Sequence, residues 1–160
     1  MKSLTENNRL LVAAPHAPRI VALLPFAYMF HLVEEWFGGF SAWTATVLGQ
    51  EVSPERFIII NSVALSLSCI GIAAALRWPR FSWFSVSFAA LIVLNGVLHG
   101  LATVALGSYS PGTLTGLLIY LPLGSFALRA LAKTMQPRTF YLAVLFGFLI
   151  HGLVALAAFT

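Results

Sequence analysis

Residues 20–36 read IVALLPFAYMFHLVEEW, and this stretch decides the class of the whole chain. It approaches the length needed to cross a hydrocarbon core, about 20 residues of helix, yet it carries His31, Glu34 and Glu35. The chain of 160 residues holds only five acidic side chains, and two of them stand side by side here. An ionisable group at the centre of a membrane helix costs about 2.5–3.5 kcal/mol on insertion scales, so it persists where it is paired, hydrated or functional. Residues 31–35, HLVEE, are therefore read as the working part of a small membrane protein.

The rest of the chain supports that class. A composition of 59% hydrophobic and 9% charged residues excludes an ordinary soluble domain. Five runs are long enough to span a bilayer, at approximately 20–37, 57–76, 81–106, 112–131 and 140–159. The nine Lys and Arg residues lie singly between these runs and form no basic stripe, so nucleic acid is not an expected partner. Lys2, Arg9, Arg19, Arg77, Arg80, Arg129, Lys133 and Arg138 fall at one end of the spans and only Arg56 at the other. The positive-inside rule then places the N-terminus in the cytoplasm and the C-terminus outside. The expectation is an all-α bundle of five transmembrane helices in one domain, 1–160, in the cytoplasmic membrane of a prokaryote.

A cleaved signal peptide is the rival reading of the first run, but Glu34 and Glu35 interrupt the place of an apolar core and a small-residue cleavage site. Cys69 is the single cysteine, so no internal disulfide is expected. Residues 1–8 are polar, and His16 between Pro15 and Pro18 reads as a surface residue. Gly38-Gly39 ends the first span, and Ser53-Pro54 offers an N-cap and an N1 proline for the second. Residues 40–50 place Trp43, Val47 and Leu48 at helical spacing, which predicts a short interfacial helix acting as a lid.

Helical rise then sets the depth of the polar groups. His31 and Glu35 lie roughly 18 and 24 Å beyond Arg19, Asn95 and His99 roughly 22 and 28 Å beyond Arg80, and His151 roughly 20 Å beyond Arg138. Asn61, early in the oppositely directed second span, shares that outer layer. Lipid penalises outward-facing polar groups, so this layer predicts one inward pocket. Gly96 and Gly100 beside His99, and Gly147 and Gly152 around His151, supply small residues for close helix approach.

Three histidines and two carboxylates in an apolar layer have the ligand chemistry of zinc or another first-row divalent metal. The local pattern follows the logic of H-x-x-E-H sites, in which residues i and i+4 bind metal and the intervening Glu is the base. It assigns His31, Glu35, His99 and His151 as metal ligands and Glu34 as general base. Asn95 would orient a ligand or donate to a developing oxyanion, and Asn61, Tyr109 and Thr113 complete the pocket. The plainer alternatives are that His99 and His151 are hydrogen-bonded glue between helices, that Asn61 bonds a neighbouring backbone, and that residues 109–112 are a turn.

His31-x-x-Glu34-Glu35, Asn95-x-x-x-His99, Tyr109-x-Pro111-Gly112 and a late His151 together resemble the HXXEE-domain family of small membrane proteins. The resemblance spans nearly the whole chain and implies a membrane fold with a metal or catalytic site, without naming a reaction. A weaker similarity, to the Glu/His intramembrane proteases of prenylated proteins, breaks at Gly39, where that pattern carries Arg. The functional expectation is a metal-dependent membrane hydrolase acting on a lipid or other lipophilic molecule, with zinc as cofactor. The alternatives are an iron-dependent oxygenase, a metal-free Glu/His hydrolase, and a non-enzymatic ion carrier or sensor.

Overall fold

The computed structural model describes residues 17–160. The polar N-terminal residues, the charges of Lys2 and Arg9, and the surface reading of His16 lie outside the described residues. Among those described, the chain forms six helices and no strand. A 3-10 turn at Arg19–Leu23 leads into α1, Leu24–Phe37. The short α2 is Phe40–Val47, α3 is Pro54–Arg77, and α4 is Ser82–Leu106. Helix α5, Thr113–Ala132, contains a π-helical turn at Gly116–Tyr120, and α6 is Pro137–Phe159.

With the 3-10 turn at Arg19–Leu23 counted as part of the first, five helical segments are long and apolar enough to cross a membrane. Helices α3 and α6 start ahead of their apolar runs because proline opens them. Pro54 and Pro137 take the first helical positions of α3 and α6, where a missing N–H costs nothing. The Ser53 hydroxyl accepts the backbone N–H of Arg56 and completes the first of these starts. Between α1 and α2 the chain reverses at Gly39, φ 75°, a left-handed conformation that suits glycine. The short helix expected between the first two spans is present as α2.

Helix α4 is the centre of the bundle, with α1, α3, α5 and α6 packed around it. Small residues let it be so. A Cβ on Gly96 would stand 2.6 Å from the Gly116 carbonyl oxygen, so the α4 and α5 backbones are in direct contact there. Gly147 of α6 rests on the Ser87 backbone of α4, and the Ser87 hydroxyl donates to the Ala143 carbonyl. Gly152, expected to crowd beside His151, has open space instead. The dry core, including Val21, Leu24, Val86, Ala89, Ala127 and Leu131, gathers toward the Arg-rich end of the bundle. Large apolar side chains such as Phe26, Phe30, Leu118 and Phe126 are exposed on the outer faces, a surface suited to lipid rather than water. The other end of the bundle holds the polar layer.

Candidate metal centre

His31 and Glu35 stand one turn apart on α1, and His99 comes from the facing side of α4. The Glu35 Oε1 lies 3.2 Å from His99 Nε2 and 3.6 Å from His31 Nε2. One ligand atom from each residue falls within 4.8 Å of the others, and the residues are only 1%, 6% and 7% exposed for His31, Glu35 and His99. Two donors held about 2.0–2.1 Å from one zinc ion at a tetrahedral angle stand about 3.3 Å apart. The cluster is thus close to a coordination shell.

The hydrogen bonds behind the cluster fix which nitrogen faces it. The Thr115 hydroxyl has one proton, and it donates to Glu34 Oε2 at 2.5 Å. Its 2.8 Å contact with His31 Nδ1 therefore has the imidazole as donor. In neutral His31 that leaves Nε2 as a bare acceptor, and this buried atom has no hydrogen-bond partner. It faces Glu35 Oε1, also an acceptor, so the pair calls for a cation or a proton between them. His99 is turned the same way, with Nδ1 2.9 Å from the Ser110 hydroxyl and Nε2 toward Glu35. Outer partners of this kind orient metal-ligating histidines and raise their basicity.

This relay carries a prediction. Thr115→Val removes the acceptor for His31 Nδ1–H and favours the tautomer with Nε2 protonated. Divalent metal affinity, measured by competition titration, should fall about 10–100-fold, while Thr115→Ser keeps it. Equal affinity in all three proteins would contradict the assigned tautomer.

Glu34, expected as the general base, does not join the cluster. Residues 34 and 35 project about 100° apart around a helix, so one carboxylate cannot follow the other into the cluster. Glu34 points to the start of α5. Its Oε1 accepts the backbone N–H of Gly112 at 3.1 Å and of Leu114 at 2.9 Å, together with the Tyr109 hydroxyl. Its Oε2 accepts the N–H of Thr115 at 2.6 Å and the Thr115 hydroxyl. A carboxylate at a helix N-terminus satisfies N–H groups that have no partner within the helix and faces the positive end of its dipole. Burial, and then the bond to Glu34, raise the Tyr109 hydroxyl above its ordinary pKa.

His151 also departs from expectation, standing outside the three-residue cluster. Its Nε2 lies 3.3 Å from the Asn95 side-chain nitrogen. The cause is the register of α6 on α4: Ser87 pairs with Ala143 and Asn95 with His151 at the same sequence offset of 56 residues. That offset puts His151 one turn short of His99, whose counterpart on α6 is Ala155. Asn95 and His151 still line the same cavity. Of the three other predicted pocket residues, only Asn61 reaches it. Asn61 accepts from the Tyr28 hydroxyl at 2.6 Å and donates to the Phe57 carbonyl at 2.9 Å. Tyr109 binds Glu34 on the far side, and the Thr113 hydroxyl is occupied by the His99 and Ser110 carbonyls and by Thr103.

Sequence reasoning left Tyr120 unassigned. Its ring stacks on His31 at a centroid distance of 4.3 Å, and its buried hydroxyl has no partner. The π-helical turn before Leu121 sets its direction, and turns of this type are frequent at functional sites. The available signal was Pro122, a proline inside an apolar span, where the helix hydrogen bonding must be interrupted. Phe40 of α2 is the other omission; its ring lies 5.9 Å from that of His99 and covers the cluster.

Residues 22–127 match the family described as "Protein of unknown function with HXXEE motif". The chain belongs to the HXXEE family. The matched region of this HXXEE protein contains His31, Glu34, Glu35 and His99 with the helices that carry them, whereas α6 and His151 lie beyond it. The chain is similar to "Uncharacterized protein YrkK" of Bacillus subtilis (strain 168), with 29% identity over 113 residues that cover 68% of this chain and 72% of the relative. No solved structure matches it.

Proposed function

We propose that this HXXEE protein is a metal-dependent integral membrane enzyme, with hydrolysis of a lipophilic substrate as its reaction. Its proposed location is the cytoplasmic membrane of a prokaryote, with the Arg-rich end inward and the metal centre in the outer half of the bilayer. The observation that carries this reading is the bare, buried Nε2 of His31 turned toward Glu35 Oε1, with His99 Nε2 beside them. Two histidines and one glutamate are the ligand set of several zinc hydrolases, which leave a further position open. Zinc held by this set supplies Lewis acidity and makes water a usable nucleophile at neutral pH.

The protein residues supply the rest. Water adds to the substrate carbonyl, the bond to the leaving oxygen or nitrogen breaks, and the proton of the water passes to the leaving atom. With Glu34 committed to α5, Glu35 is the carboxylate lining the cavity and the one available to carry that proton. A carboxylate has two oxygens, so one can serve the cation while the other takes the proton. Asn95 and His151 stand beside the reacting end as polar groups for the substrate head. The mononuclear iron oxygenase is a second reading favoured by the same set, because two histidines and one carboxylate also make the facial triad of such enzymes.

Elemental analysis of the purified protein tests both. One divalent metal per chain is expected in the native protein, falling to background in His31→Ala and in Glu35→Ala. Zinc supports the hydrolase, iron the oxygenase. Substoichiometric metal that is the same in all three proteins would overturn the metal centre.

A further inference from the structure

The polar cluster occupies one end of a cavity of about 880 Å³, and the remainder of that cavity is built for hydrocarbon. Beyond Asn95 and His151 its walls are Leu91, Ala64, Leu67, Phe84, Phe88 and Phe146, with Ser68 and Ser87 as the polar exceptions. Both serines spend their hydroxyls on backbone carbonyls, Ser68 on Leu65 and Ser87 on Trp83 and Ala143, so neither offers a free donor to a ligand. At the far end Trp83 packs edge-on against Phe146 and closes the floor.

The outer end is closed as well. Phe40 and Trp43 of α2 lie over it, and Arg56 at the start of α3 donates to the Ala158 carbonyl near the end of α6, at 3.4 Å. The side wall between α3 and α6 is different. Ile59, Val63 and Leu67 of α3 and Phe146 of α6 line the cavity while remaining 63%, 55%, 57% and 43% exposed. Those residues belong to spans that face the bilayer, so the slit opens onto lipid rather than water.

Two dimensions limit what can enter. From His99 down α4 to Phe84 is about 22 Å of helix, longer than the roughly 15 Å of one leaflet's hydrocarbon. A volume of about 880 Å³ lies within the roughly 300–1,000 Å³ of pockets that hold one small-molecule ligand. That suits one long chain with its head.

We propose that the cavity binds a single-chain lipid which enters sideways between α3 and α6, its chain running along α4 and its oxygen-bearing head at His31, Glu35 and His99. The placement of the head rests on the metal reading above; the placement of the chain does not.

The test is photo-crosslinking in lipid nanodiscs with a fatty acid that carries a diazirine on its chain, followed by mapping of the labelled residues. Labelling is expected on the cavity faces of α3, α4 and α6, around Ala64, Leu91 and Phe146. Ala64→Trp fills the slit from the α3 wall and should reduce that labelling to the level of the outer residues Phe26 and Phe126, with metal content unchanged. Labelling spread equally over outer and cavity residues in the unaltered protein would overturn the proposal, and this arm does not depend on whether the variant folds. Equal labelling of the cavity by a phospholipid with two chains would overturn the single-chain assignment. Cavity labelling in a protein that holds no metal would leave the lipid site standing and remove the metal centre; metal without cavity labelling would do the reverse.

Discussion

Gly112→Ala should lose both stability and metal. The residue sits at φ 103°, where a side chain is strained, and an added Cβ would lie 2.7 Å from His31 Cε1 and 2.9 Å from His99 Cε1. Backbone strain of this kind costs about 1–3 kcal/mol, and the clash comes on top of it because both imidazoles are packed on their other sides by Tyr120 and Phe40. Gly39→Ala is the control. It has a comparable φ of 75° with nothing within 4 Å of the added atom, so it should destabilise the protein and leave metal content intact. Thermal unfolding in detergent and elemental analysis of the two variants separate the effects. Retention of full metal by Gly112→Ala would mean that the glycine does not hold the histidines in place.

Glu34→Ala should destabilise the fold by about 3 kcal/mol, the scale expected when charged hydrogen bonds to partly buried donors are lost. The N–H groups of Gly112, Leu114 and Thr115 and the hydroxyls of Thr115 and Tyr109 all lose their acceptor. Glu34→Gln should recover only part of the loss, since its amide presents donors to donors. The measurement also separates two roles for this residue. A general base would leave the melting temperature unchanged and remove turnover, whereas the cap of α5 lowers the melting temperature whether or not a substrate is known. An unchanged melting temperature in Glu34→Ala would refute the capping role.

These two sites show where the sequence was informative and where it was not. The spans were legible because lipid imposes a length and an apolar composition that few other structures share. The gathering of His31, Asn95, His99 and His151 toward one end of the bundle followed from helical rise, and all four line one cavity, with Asn95 and His151 a turn away from His99. The division between Glu34 and Glu35 was not legible, since both lie within a turn of His31 and each makes a plausible partner for it. What separated them was the position of α5. Its N-terminus needs an acceptor and takes Glu34, leaving Glu35 to the cavity. The place of His151 was equally out of reach, because the offset of α6 along α4 depends on Gly147 settling against Ser87.

By itself, the sequence determined that the chain forms apolar helices of bilayer length, with scarce ionisable groups gathered toward one end. These are properties of each segment against its solvent, and periodicity and composition record them. The tertiary structure decided which of those groups meet, which nitrogen of His31 faces the cavity, and that α3 and α6 part to leave an apolar slit. Such features depend on helix register and rotation, which close backbone contacts at single glycines fix and which leave no periodic trace in the chain.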